Sequence, residues 1–213
     1  MLTSRDRVLM ALNHEEPDRV PIFFGTSGVT TMLSPAYDKL KAHLGISQAT
    51  QLLSRTFQYA RLDEEILQRF HSDGRPLLPG PAPSTLRQES SATEVVDDWG
   101  IRWRRPPTSL YYDVAEPPLC SATVDDVASY PWPDLAHPSR FVGLAEQARA
   151  LHNTTGCALV GMSGVSPFEQ AQLLCGTENL LAALIADPEF ASALLGKLTD
   201  LMLASVTALL TRR

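Results

Sequence analysis

MLTSRDRVLMALNHEEPDRVPIFFG, residues 1–25, reads as a short capped helix, a proline-bearing turn and a buried strand. Thr3 is a candidate N-cap, because its hydroxyl can accept a free amide of the first turn, and Asp6 follows three residues later. Val8, Leu9 and Leu12 recur at helical spacing and predict one apolar stripe. Pro17 cannot continue a helix, and residues 20–24 form a short apolar run with strand character.

The chain has 213 residues, enough for one domain with a sizeable core. Its composition, 44% hydrophobic and 20% charged, is that of a globular protein. A net charge of −6 speaks against a nucleic-acid partner, whose phosphates call for a basic surface. Cys120, Cys157 and Cys175 are odd in number and widely spaced, which predicts a reducing compartment rather than a disulfide framework. No apolar run follows a basic start, so no signal peptide is expected. Asp, Lys or Gly interrupts the long apolar segments, so no membrane span is expected. The expected location is the cytoplasm, with no membrane partner.

Beyond residue 24, residues 25–31 form a small-residue loop. Ser34-Pro35 opens a helix that Gly45 ends, and residues 62–70 place Leu62, Ile66, Leu67 and Phe70 on one helical face. Asp73-Gly74 precedes a second strand at 75–78. From 79 to 120 the pattern changes: strand-like runs at 93–96, 101–104 and 110–114 alternate with turn residues, predicting an antiparallel excursion. Helices are expected at 124–130 and 139–153, with Gly156 as the stop of the second. A third strand follows at 158–162, and a long helix at 188–213 closes the chain.

Three blocks in order resemble one family. The opening is similar to the N-terminus of the uroporphyrinogen decarboxylase superfamily, especially its corrinoid-linked methyltransferase branch, where "SR-R-V--AL-H-EPDRVP" leads into the first strand of a (β/α)8 barrel. DDWGIRWRR followed by YYDVAEPPL resembles the "D-WG--W" hairpin and "PL" of that branch. Residues 161–176 and ENLLAALIADPE resemble its third-strand pattern. The resemblance implies an α/β fold: the N-terminal part of a (β/α)8 TIM barrel spanning residues 1–213, with an antiparallel insertion at 84–120. A barrel needs eight strands and three are read here. The expectation is therefore a truncated or split barrel, or one completed by a partner chain or homodimer.

Barrel enzymes place their chemistry at the C-terminal ends of strands, which points to 25–28, the neighbourhood of Asp73, and 161–166. The resemblance makes Asp73 the catalytic aspartate that faces the pyrrole nitrogens of a tetrapyrrole; as Asp-Gly it is equally an ordinary turn. The decarboxylase's "RQAGR" carboxylate clamp is absent, FFGTSGVTT standing in its place. Gly25, Ser27 and Gly28 could then admit a flat macrocycle or simply form a tight loop. Gly161, Met162 and Gly164 would form a pocket floor or pack at a strand end. Gln172 falls near the family's tyrosine, and His71 is the one histidine near the expected pocket. Trp99 and Trp103 read as packing residues, with Asp97 and Asp98 in the hairpin turn.

The branch's zinc ligands are a His-x-Cys pair and a later Cys, and no His-x-Cys occurs here; His152 with Cys157 is not a known zinc spacing. Zinc and corrinoid are thus cofactors expected of a full-length relative, with no metal ligand assigned in this chain. The expected function is methyl transfer with a corrinoid or tetrapyrrole partner. The alternatives are uroporphyrinogen decarboxylation, for which Arg75, Arg102, Arg104 and Arg105 are the clustered carboxylate binders, and a non-catalytic fragment or half-barrel subunit.

Overall fold

A computed structural model describes residues 2–89, 91–162 and 166–211. The chain is mixed α/β and divides into two compact units, Met1–Leu78 with Gly143–Met162, and Pro79–Val142 with Ser163–Arg213.

In the first unit, helix α1 (Ser4–Leu12) begins at the expected cap: Thr3 and Asp6 form a reciprocal capping box, satisfying amides that the first helical turn leaves free. The helix ends at Leu12, well before Pro17. Its stripe is only partly used, since Val8 is buried while Leu12 is 71% exposed. Residues 20–24 form no strand. Pro21 has no amide to give, and the Ile22 amide is taken by the Asp73 side chain (2.7 Å) instead of a strand carbonyl.

Helix α2 (Ser34–Leu44) carries Pro35 in its first turn and stops at Gly45, whose φ of 73° is the left-handed conformation glycine adopts without strain. A hairpin that the residue pattern does not announce follows, β1 (Gln51–Ser54) against β2 (Tyr59–Arg61). Helix α3 (Glu64–Arg69) then leads into β3 (Gly74–Leu77). Tyr37, Ala60, Leu62, Ile66 and Leu67 form the core beneath α2 and α3.

In the second unit, β4 (Gln88–Glu89), β5 (Glu94–Val96), β6 (Arg102–Arg104) and β7 (Asp113–Glu116) form one antiparallel sheet in sequence order, so the expected excursion is present. Its β5–β6 turn is built on Asp97, whose carboxylate accepts the amides of Trp99 (2.9 Å) and Ile101 (3.0 Å) and the indole of Trp103 (2.8 Å). Burial pushes the Asp97 carboxyl above its ordinary range. Helix α4 (Val124–Ser129) starts on a second capping box at Thr123.

The single helix expected at 139–153 is two elements, a 3₁₀ turn (Pro138–Phe141) and α5 (Leu144–Thr154), because Gly143 at φ 74° breaks the helical path. Helix α5 belongs to the first unit, where it packs on β3 and on β8 (Ala158–Gly161). Strands β3 and β8 pair in parallel, from Gly74 opposite Ala158 to Leu77 opposite Gly161. Two of the three expected parallel strands therefore exist and are neighbours.

Helices α6 (Pro167–Cys175), α7 (Thr177–Ala186) and α8 (Pro188–Thr211) complete the second unit, with α8 packed on α4, α6 and α7 through Phe190, Leu194 and Leu198. By length and composition alone α8 could cross a membrane, having an 18-residue window of mean hydropathy 1.6. The Asp and Lys expected to interrupt such a segment, Asp200 and Lys197, are both inside this helix. Among the described residues no closed barrel is formed.

Gly100 has φ 78°, and a Cβ there would lie 2.5 Å from the Tyr130 hydroxyl. Gly100→Ala should therefore destabilise the protein by about 1–3 kcal/mol, read as a lower urea midpoint with an unchanged m-value.

Candidate functional site

Asp73 is fully buried. Its carboxylate accepts from Arg7 Nη1 (2.7 Å), from Arg19 Nη1 (2.6 Å) and Nη2 (2.9 Å), and from the Ile22 amide (2.7 Å). Arg7 also grips Asp18 through Nε (2.6 Å) and Nη2 (2.9 Å). Burial by itself would raise the Asp73 pKa; the hydrogen bonds from Arg19 and Ile22 outweigh it and hold the group at about 2. The hydrogen bond to Asp18 is the largest cause raising the Arg7 pKa. Asp73 also precedes β3, so it lies at the N-terminal end of that strand, opposite to where barrel chemistry sits. Every strong acceptor direction of this carboxylate is occupied.

A cavity of about 270 Å³ lies toward the other end of β3, reaching Pro76 and Leu78. Arg61, Asp63, Glu64 and Arg75, with Gln51 and Gln147, supply its polar lining. Most of that charge is already matched. Arg75 is buried and forks onto Glu64 through Nε and Nη2, both at 2.8 Å, while its Nη1 donates to the carbonyls of Ser72 (2.9 Å) and Gly74 (2.8 Å). Burial raises the Glu64 pKa, but the bonds from Arg75 and Gln68 outweigh it and leave it below the ordinary carboxylate range. Asp63 accepts the Tyr37 hydroxyl (2.7 Å), whose own pKa burial pushes up to about 12. Arg61, at the end of β2, is exposed and its guanidinium has no acid partner among the described residues.

The expected site residues are dispersed. Gly25 lines this cavity at φ 74°, with Leu62 and Leu67 so close that a Cβ would collide at 2.8 and 2.7 Å. Ser27 and Gly28 belong to a 3₁₀ turn next to it, Ser27 bonded to Thr30 and Gly28 against the Tyr59 ring. His71 is exposed at φ 53°, and its carbonyl accepts from Arg19 (3.4 Å). Gly161 lines a separate apolar cavity of about 370 Å³ with Val8, Leu12 and Phe23. The Met162 amide is spent on the Leu77 carbonyl (3.1 Å). Gln172 is in the second unit, where its carbonyl caps α6 through the Gly176 amide (2.9 Å). Gly164 lies outside the described residues. Arg61 is the residue the sequence reading missed; the unrecognised β1–β2 hairpin carries it to the cavity.

The other arginines proposed for carboxylate binding are engaged: Arg102 with Glu116 (3.0 Å), Arg104 with Glu94 (2.6 Å), and Arg105 over the Tyr112 ring. Among the described residues no group of three His, Cys, Asp or Glu could hold a metal ion. His152 Nε2 faces the Arg5 guanidinium at 3.4 Å, a cation that repels a metal. Among the described residues, His152 with Cys157 therefore does not make a zinc site. The Arg61 cavity is likewise smaller than the roughly 300–1,000 Å³ of sites for drug-sized ligands, and does not enclose a tetrapyrrole or corrin ring.

No family model matches the chain, and neither a curated protein nor a solved structure matches it significantly.

Because the folded pKa of Asp73 lies below the ordinary 3.8, its stabilisation is present above that value and is lost as the pH falls toward 2. Asp73→Asn should cost about 3 kcal/mol near neutrality by removing the shared acceptor of Arg7, Arg19 and the Ile22 amide, although Asp18 still holds Arg7. The gap between variant and parent should narrow by about 2 kcal/mol on acidification through this window, measured by urea unfolding at stepped pH.

Proposed function

We propose that this chain is an α/β unit of the uroporphyrinogen decarboxylase type that binds a small carboxylate in the Arg61 cavity, with methyl transfer as the activity of the larger assembly. The observation that carries the reading is the charge pattern: Arg75 is paired with Glu64 and Asp63 with Lys41 (3.8 Å), so among the described residues Arg61 is the ionised group of the cavity left for a ligand. A guanidinium offers a planar fork of donors that matches a carboxylate. The parallel β3–β8 pair with α5 packed on it, and a cavity toward the C-terminal end of β3, are what a partial (β/α) barrel would present.

Methyl transfer is favoured over decarboxylation by a specific observation. A substrate carrying many carboxylates needs many free cations, and Arg75, Arg102 and Arg104 are each held by a glutamate. A corrinoid, which would supply the methyl group, is too large for this cavity and belongs on a partner protein in this reading. Glu64 is held by Arg75 and its pKa is lowered, so it is not poised as a proton donor. The role of this chain is to bind and orient.

Succinate should bind saturably in calorimetric titration, and Arg61→Ala should weaken that binding about ten-fold or more, the worth of one charge-assisted hydrogen bond. Absence of binding, or equal binding by the variant, would refute the assignment.

A further inference from the structure

Cys120 and Cys175 are distant in sequence, and the second unit brings them together. The Leu119 amide donates to the Leu174 carbonyl (2.8 Å), and each cysteine is the next residue of its own segment. Asn179 then donates its side-chain amide to both cysteine carbonyls, Cys120 at 3.0 Å and Cys175 at 2.8 Å. Two oxygens that share one nitrogen cannot lie farther apart than those two bonds laid end to end. The shared amide keeps the two main chains close, and a disulfide forms where they bring the Cα atoms within about 7 Å.

The thiols are both free and occupy contrasting settings. Cys120 is exposed and lines a cavity of about 570 Å³ with Arg102, Glu116 and Tyr130. Cys175 is fully buried, its Sγ directed at the Ala171 carbonyl (3.2 Å). Burial pushes the Cys175 thiol up, and the neighbouring Cys120 adds to the effect. An accessible thiol whose main chain is held next to that of a buried one matches the pattern of a reactive cysteine with a resolving partner.

We propose that Cys120 and Cys175 are an oxidant-responsive pair in which a hydroperoxide oxidises Cys120 and Cys175 closes a disulfide. In the first step the Cys120 sulfur attacks one peroxide oxygen. An S–O bond forms, the O–O bond breaks, and the leaving hydroxide takes the thiol proton as water. In the second step the Cys175 sulfur attacks the Cys120 sulfenic sulfur. The S–S bond forms, the S–O bond breaks, and the departing hydroxide takes the Cys175 proton as a second water. The two thiols lose two electrons and hydrogen peroxide gains them. The product staples the segment after β7 to the end of α6, and Cys175 must release the Ala171 carbonyl to form it.

The test treats the full chain with equimolar hydrogen peroxide, then counts thiols after denaturation and maps peptides by mass spectrometry. The expected result is a fall from three thiols to one, Cys157, with the Cys120 and Cys175 peptides joined and two hydrogens lighter. Cys157→Ser should still form the bond, and Cys120→Ser should abolish it. The proposal is overturned if Cys120 is over-oxidised or bridged between chains while Cys175 stays a thiol, or if no thiol is lost.

Discussion

One buried carboxylate organises the first unit. Asp73 receives Arg7 from α1, Arg19 from the turn after it, and the amide of Ile22, so three separate stretches of chain converge on a single side chain at the start of β3. A buried charge without partners would cost several kcal/mol, and here partners and hydrogen bonds fill its acceptor directions together. That arrangement explains why residues 20–24 run beside β3 without becoming a strand. The Ile22 amide serves the carboxylate, while the Ile22 carbonyl accepts the Asp73 amide (2.7 Å). The motif residues SRDR and DRVP of the opening are thereby structural: Arg7, Asp18 and Arg19 form the network.

The same neutralising logic runs through the cavity beyond β3. Arg75 and Glu64 hold each other in a two-pronged pair, and carbonyls of Ser72 and Gly74 take what remains of the Arg75 donors. A guanidinium so engaged is a strut. Arg61 differs because the hairpin delivers it to an exposed position without a matching acid among the described residues.

The second unit is stabilised by different means. Its antiparallel sheet turns on Asp97, an acid satisfied by two amides and an indole, and the Tyr130 hydroxyl locks the turn through the Trp99 carbonyl (2.5 Å). Its helices close over Leu174, Leu180 and Leu194, all fully buried. The Cys120–Cys175 neighbourhood arises where the loop after β7 caps the end of α6, and Asn179 is shared between them.

Local chemistry was legible in the residues alone. The Thr3 cap, the Gly45 stop, the antiparallel runs between 84 and 120, and the strands near 75 and 158 follow from hydrogen-bonding groups and side-chain periodicity within a few residues. The sequence therefore determined the mixed α/β class and most element positions. What only the tertiary structure decided is which polar groups meet. Arg7 and Arg19 enclose the Asp73 carboxylate from positions 66 and 54 residues away, and a hairpin brings Arg61 to the cavity. A run such as 20–24 has strand composition, yet a distant carboxylate took its amide. Cys120 and Cys175, widely spaced in the sequence, share one asparagine. Pairings of this kind depend on long-range closure of the chain, and no window of neighbouring residues contains that information.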